Sequence, residues 1–360
     1  MKRFEALEGF RAVLAWWVVL GHMLMYARIS GNEMWPVFDL GRQGIIAVYV
    51  FMIISGFVIT HLLTQRREPY GVYIMRRFLR LWPVFAVVVT FVAVANLFGV
   101  SIRNPGDDLG LHYLAEITMF HGLIPNEILN DASQALAGPG WSISLEWQFY
   151  VIAPLLLVVF TTRHWVRWPV AAAVLAFATT GALGTEFDWI ELFGQRWTYD
   201  KPSALFLSLP YFCLGMFCYW IFSNFSGAVK TTLPAALVFA AIALGFARSH
   251  HESLALFIWA FLFSLLLIQE GPVYNFFRQR WLKWVGDISY STYITHVVVI
   301  ELLVDYVIPR SHDKWSYFAT IVAVSVPTIL AVSAASYYGL EKPAINLGRR
   351  LAKRMQAKPE

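Results

Sequence analysis

Residues Phe10–Ala27 read FRAVLAWWVVLGHMLMYA, and this stretch decides the class of fold. Wound as a helix at 1.5 Å per residue it reaches about 27 Å, close to the roughly 30 Å of a bilayer's hydrocarbon core. Comparable runs recur along all 360 residues, 58% of which are hydrophobic and only 14% charged. Soluble domains carry about 25% charged residues, so an ordinary soluble fold is excluded. Lys2 and Arg3 precede the first run as they would a signal peptide. Arg11 and His22 inside it, and the lack of a small-residue cleavage site, make it a retained span instead.

Outward from this stretch, hydropathy predicts about ten helices in an all-α polytopic integral membrane protein: Phe10–Ala27, Gly44–Leu63, Phe78–Val100, Ser142–Phe160, Trp168–Gly184, Ala204–Phe222, Thr231–Ala247, Ser253–Gln269, Ile288–Ile308 and Trp315–Leu340. With both termini cytoplasmic, 20 of the 28 Lys and Arg residues fall on the inner side, as the positive-inside rule requires. The net charge of +5 therefore reads as topology rather than as a nucleic-acid surface. Residues 1–345 form one transmembrane domain and 346–360 a basic cytoplasmic tail. The long segment 101–141, outside on this topology, is too apolar for a linker and too interrupted for a span. It reads either as a partly ordered cap over an extracytoplasmic cavity or as a plain surface loop. Cys213 and Cys218 share one apolar run, which gives neither a disulfide framework nor a metal-ligand spacing.

Ionisable side chains within spans are costly and call for a reason. Arg11 and His22 are eleven residues apart, close to three helical turns, so they share one face about 16 Å apart along the axis. The fourth predicted helix runs the opposite way and carries Glu146 about 6 Å below its outer end, against about 7 Å for His22. At matched depth the two can meet, and a carboxylate would fix the imidazole tautomer and keep it basic. The alternative is a core histidine satisfied by a backbone carbonyl. Ser142, Glu146 and Tyr150 follow at i, i+4 spacing as a polar stripe. Ser289, Thr292 and His296 line one face of the ninth helix, either as hydrogen-bonded helix contacts or as part of a substrate channel. Glu301 and Asp305 read as wetted near the outer surface. Arg76, Arg77 and Arg80 cluster three guanidinium groups at an inner helix end, which suits either bidentate phosphate binding or contact with anionic lipid headgroups.

An ordered set of motifs resembles the membrane-bound acyltransferase family 3 over nearly the full length: Leu7–Arg11 (LEGFR) with ten residues between Arg11 and His22, Ile54–Thr60 (ISGFVIT), Arg76–Pro83 (RRFLRLWP), Trp141–Tyr150 (WSISLEWQFY), Gly286–His296 (GDISYSTYITH) and Gly339–Pro343 (GLEKP). Two positions depart from the common pattern: Tyr49 and Trp147 stand where many relatives carry acidic residues. Because the chain ends at Glu360, a fused extracytoplasmic hydrolase-like domain is not expected.

The resemblance implies transfer of an acyl group, usually acetyl from cytoplasmic acetyl-CoA, to a hydroxyl of a carbohydrate on or bound for the cell surface, in a multi-pass protein of the bacterial inner membrane. It implies His22 as the base with Arg11 as companion, Arg76, Arg77 and Arg80 as the clamp on CoA phosphates, and Glu146 as a positioning or acid–base partner. Ser55 and His296 would border the path of the pantetheine arm, and Trp141, Ser142 and Tyr150 the acceptor. Trp141 Nε1, Ser142 and a backbone amide near Gly138 or Gly140 are candidate oxyanion donors. No metal, and no nucleic-acid partner, is expected. A proton-coupled transporter or flippase of a glycan or lipid, using His22 and Glu146 as a relay, is the rival reading, though no inverted repeat supports it.

Overall fold

The computed structural model describes residues 4–29, 43–66, 68–100, 102–103, 108–161, 189–192, 195–229 and 250–356. The described residues are nearly all helical: α1 (Glu5–Tyr26), α2 (Gly44–Gln65), α3 (Tyr70–Leu97), α4 (Leu109–Ile117), α5 (Gly140–Thr161), α6 (Leu205–Val229), α7 (His250–Ile268), α8 (Pro272–Phe277), α9 (Arg280–Asp287), α10 (Ser289–Tyr306), α11 (Lys314–Ser336) and α12 (Lys342–Gln356). One antiparallel hairpin, β1 (Trp189–Leu192) and β2 (Gln195–Thr198), pairs Trp189 with Thr198 and Leu192 with Gln195. Nothing in the hydropathy pattern announced it.

Among the described residues, six helices are long and apolar enough to cross a membrane, and the pair α9 and α10, bent by 65°, makes a seventh if it is counted as one span. The fifth and seventh predicted spans lie outside the described residues. The eighth is present as α7, whose apolar stretch, Leu254–Ile268, is shorter than the other spans. Two boundaries differ from the sequence reading. α3 begins eight residues before the predicted Phe78, because hydropathy does not register Tyr70–Arg77, a helical stretch with two arginines. At the other end, helix continues from Lys314 to Gln356 through a π-helical turn at Tyr337–Glu341. The basic segment from 346 is therefore helical as far as Gln356. Along α3, Val87, Phe91, Val94 and Leu97 recur at helical spacing and are exposed, an apolar stripe suited to lipid rather than water.

The chain divides into two compact units, one from residues up to Phe57 with Leu214–Ser333, the other from Val58–Cys213 with Ala334 onward. In the first, Val19, Met23 and Leu24 of α1 pack with Val299, Ile300 and Val304 of α10 and Ile321 and Ile329 of α11. The base of α1 is held by two glycines. A methyl group on Gly9 would collide with the Phe277 carbonyl oxygen, and one on Gly286 with the carbonyl oxygen of Glu8. Those glycines sit in the LEGFR and GDISYSTYITH motifs, so close approach of α1 to α8 and α9 accounts for both. Glu5 adds ion pairs to Arg278 at 3.1 Å and Lys283 at 3.2 Å.

In the second unit, α3 packs on α5, on α4 and on α12. The segment 101–141 is ordered where described. The indole Nε1–H of Trp82 donates to the Ile117 carbonyl at 3.0 Å, fastening α4 to α3. Glu116 is wholly buried and its carboxylate accepts the backbone N–H groups of Leu136 at 2.6 Å and Ala137 at 3.0 Å. Ser144 Oγ accepts the N–H of Gly122 at 3.0 Å, while the Gln148 side chain donates to Ser203 O at 3.0 Å and accepts from Leu205 N at 2.9 Å. This closed set of buried hydrogen bonds ties the segment to α5 and to the start of α6.

Candidate active site

In the first unit, α1 runs alongside α10. His22 meets His296, with Nε2 of His296 3.2 Å from Nδ1 of His22 and the rings edge to face at 5.0 Å between centroids. Each Nδ1 also faces the carbonyl one turn back on its own helix, Val18 O at 3.0 Å for His22 and Thr292 O at 3.1 Å for His296. A carbonyl oxygen only accepts, so both Nδ1 atoms carry hydrogens in the neutral rings. In that tautomer the single hydrogen on His22 Nδ1 is shared between Val18 O and His296 Nε2, and the lone pair of His22 is on Nε2. His296 is fully buried and His22 half-buried. Four residues further along α1, the Tyr26 hydroxyl donates to Glu301 at 2.6 Å, so Glu301 is tied to α1 rather than simply wetted. Asp305 is exposed, 3.9 Å from Arg310. Arg11 stands 3.8 Å from Glu8 on its own helix, and Ser55 is half-buried on α2.

The second unit gathers the remaining candidates. Tyr150 is buried on α5 and its hydroxyl donates to Glu146, so the i, i+4 stripe is a bonded one. The Arg77 guanidinium lies over the Tyr150 ring, 5.7 Å from its centroid. Arg76 is paired with Glu68, and Arg80 follows one turn along α3. Three polar atoms here are buried with no hydrogen-bond partner among the described residues: Tyr73 Oη, Arg77 Nε and Glu68 Oε2. Tyr73 stands four residues before Arg77, on the same face of α3. Buried polar atoms are seldom left unpaired, and a cationic group with a hydroxyl beside it suits an anionic, oxygen-rich ligand.

Trp141 is buried at the start of α5. Ser142 Oγ donates to Pro139 O at 3.1 Å and the Gly140 amide to Ala137 O, so both are already engaged as donors. Gly138 lies against the Arg103 guanidinium. Among the described residues no cluster of His, Cys, Asp and Glu could hold a metal ion.

Glu146 finds Tyr150, as spacing predicts. His22 and Glu146 belong to different units, each described by itself, and within its own unit the ring that His22 meets is that of His296. Sequence reading gave His296 a place beside the donor's path and missed its bond to His22. Tyr73, Glu68 and Tyr26 were also missed. Only the i−4 spacing of Tyr73 from Arg77 offered a signal.

A family profile described as an acyltransferase domain matches residues 4–337. The peptidoglycan O-acetyltransferase OatA of Listeria monocytogenes is 24% identical over 329 residues, covering 84% of this chain and 50% of that protein. The acyltransferase MdmB of Streptomyces mycarofaciens is 30% identical over 186 residues, 48% of this chain and 45% of its own. The chain thus spans about half the length of these curated relatives. No solved structure matches it significantly. With its apolar spans, its ordered motifs and a profile match over most of its length, the chain belongs to the acyltransferase family 3.

Proposed function

We propose that the protein moves an acyl group, acetyl in the simplest case, from cytoplasmic acyl-CoA to a hydroxyl of a cell-surface or exported carbohydrate, with His22 as general base. The observation that carries this reading is the His22–His296 contact at 3.2 Å. It supports the tautomer in which Nδ1–H is held by Val18 O and His296 Nε2 and the lone pair is on His22 Nε2, the arrangement a general base needs. The O-acetyltransferase name of the Listeria relative supports the choice of reaction.

In the proposed reaction the acceptor hydroxyl gives its proton to His22 Nε2 as its oxygen attacks the thioester carbonyl. Collapse of the tetrahedral intermediate breaks the C–S bond, and the departing CoA sulfur takes the proton back from the imidazolium. While His22 is charged, its Nδ1–H bond to His296 Nε2 holds the ring in orientation. General-base help of this kind is worth about 10² to 10⁴ in rate. Arg76, Arg77 and Arg80 hold the donor's phosphates, Arg77 being oriented by its seat on Tyr150, and Tyr73 supplies a hydroxyl donor beside them. Trp141 and Ser142 border the acceptor, Glu146 positions through Tyr150, and Arg11 serves as companion to His22 at the cytoplasmic end of α1.

The test is acceptor-dependent release of free CoA. Purified protein in liposomes is given labelled acetyl-CoA with and without candidate surface glycans. CoA release that depends on glycan, with label on the glycan, is the expected result. Glycan movement without thioester consumption would favour a transporter and overturn the proposal.

A further inference from the structure

We infer that Glu68 is a built-in competitor for the donor's phosphate, occupying Arg76 until an anionic ligand displaces it. The inference rests on the phosphate-binding role proposed for Arg76 and concerns the control of that same site.

The Glu68 and Arg76 side chains are only 9% and 11% exposed. Their ion pair is lopsided. Both the Arg76 guanidinium and that of Arg66, at 3.4 Å, address the same oxygen, Oε1. The other oxygen, Oε2, is buried with no partner among the described residues. A carboxylate dedicated to a structural ion pair would present both oxygens to the guanidinium fork. Here one lone-pair set is desolvated for nothing, which makes the pair a poor resting arrangement and an easy one to exchange. A diphosphate offers more oxygens than Glu68 does, and the same helix carries Arg77 Nε and Tyr73 Oη, buried without partners among the described residues.

The geometry also indicates which partner yields. Arg76 faces Gly348 of α12, where an added Cβ would lie at ordinary contact distance from its Cα and Cγ, 3.7 and 3.6 Å. Glu68 lies on the short connection before α3, whose N-cap is Pro69. Arg76, inside the 28-residue α3, is thus the receptor, and Glu68, on the connection before it, the occupant that exchanges. If Glu68 holds Arg76 about nine-tenths of the time, apparent affinity for a phosphate ligand is reduced roughly tenfold.

Calorimetric titration of the purified full chain with CoA, and separately with inorganic pyrophosphate, tests this. Glu68→Gln should bind both about tenfold more tightly than the unaltered protein, and Arg76→Ala should bind both more weakly. A residue that merely props Arg76 in place would produce the opposite sign for Glu68→Gln. Equal or weaker binding by that variant overturns the inference. If Glu68→Gln does not fold, Glu68→Asp, which withdraws the charge by one methylene, is read the same way, with a smaller gain expected. Should CoA bind to none of the proteins, the donor assignment fails, and the pyrophosphate titration still decides the competitor role: tightening upholds it and no change rejects it.

Discussion

Two buried titratable groups between α3 and α5 should give the protein opposing responses to pH. Burial pushes the Glu116 carboxyl up to about 7 from its ordinary 4.5, against the pull of the Leu136 and Ala137 amides. Burial pushes the His121 imidazole down to about 4 from 6.5. His121 stacks on Phe85 with ring centroids 5.8 Å apart; the backbone of Gly140 and Glu116 pulls its pKa the other way, but among the described residues neither ring nitrogen has a partner at full hydrogen-bonding geometry. Between pH 4.5 and 7 the folded protein holds a proton on Glu116 that the unfolded chain releases, so this group's contribution to stability falls as pH rises. Between pH 4 and 6.5 the unfolded chain holds a proton on His121 that the folded protein excludes, so stability rises. At about 1.4 kcal/mol per pH unit, each effect is worth ~3 kcal/mol, and the two offset each other over most of the range.

Single variants should unmask each half. Glu116→Gln, relative to the parent, should gain ~3 kcal/mol between pH 4.5 and 7, on top of a constant cost of about 1–3 kcal/mol for one amide left without its acceptor. His121→Leu should lose ~3 kcal/mol relative to the parent between pH 4 and 6.5. Denaturant titration of detergent-solubilised protein across that range, plotted as variant minus parent, reads both. Flat difference curves, or two of the same sign, would refute the reasoning.

Gly286→Ala forces a methyl against the Glu8 carbonyl and should cost on the order of 1–3 kcal/mol, visible as a lowered Tm; an unchanged Tm would contradict the close approach of α1 and α9. His296→Phe keeps the ring's bulk but removes one of the two acceptors that face His22 Nδ1–H, leaving Val18 O, so turnover should fall by about tenfold with the melting temperature little changed. Retained turnover would show that His296 does not orient His22. Arg77→Lys retains the charge but loses the planar group over Tyr150; KM for acyl-CoA should rise several-fold, and an unaltered KM would reduce Arg77 to a bare charge.

Six or seven of the ten predicted spans are seen among the described residues, legible because hydropathy and helix length are both local properties, and the Phe10–Ala27 reading survives in α1. Contacts between residues a short helical spacing apart were legible for the same reason, as with Glu146 and Tyr150. His22 meeting His296, 274 residues away in sequence, was not, because equal depth in a bilayer leaves open which helices are neighbours. Depth alone gave no sign of the imidazole on α10 that His22 meets. The glycines of two motifs explain themselves only once α1 is seen against α8 and α9. Glu68 was invisible as a competitor because its meaning lies in which oxygen is left bare.

The central claim is that His22 Nε2 accepts the proton of the attacking hydroxyl. Its most direct test is single-turnover transfer of labelled acetyl to glycan by the parent protein and by His22→Ala, both confirmed as folded by their melting profiles and by CoA binding. The account predicts undiminished CoA binding and no label on the glycan for the variant. Label transferred at the parent's rate would contradict it.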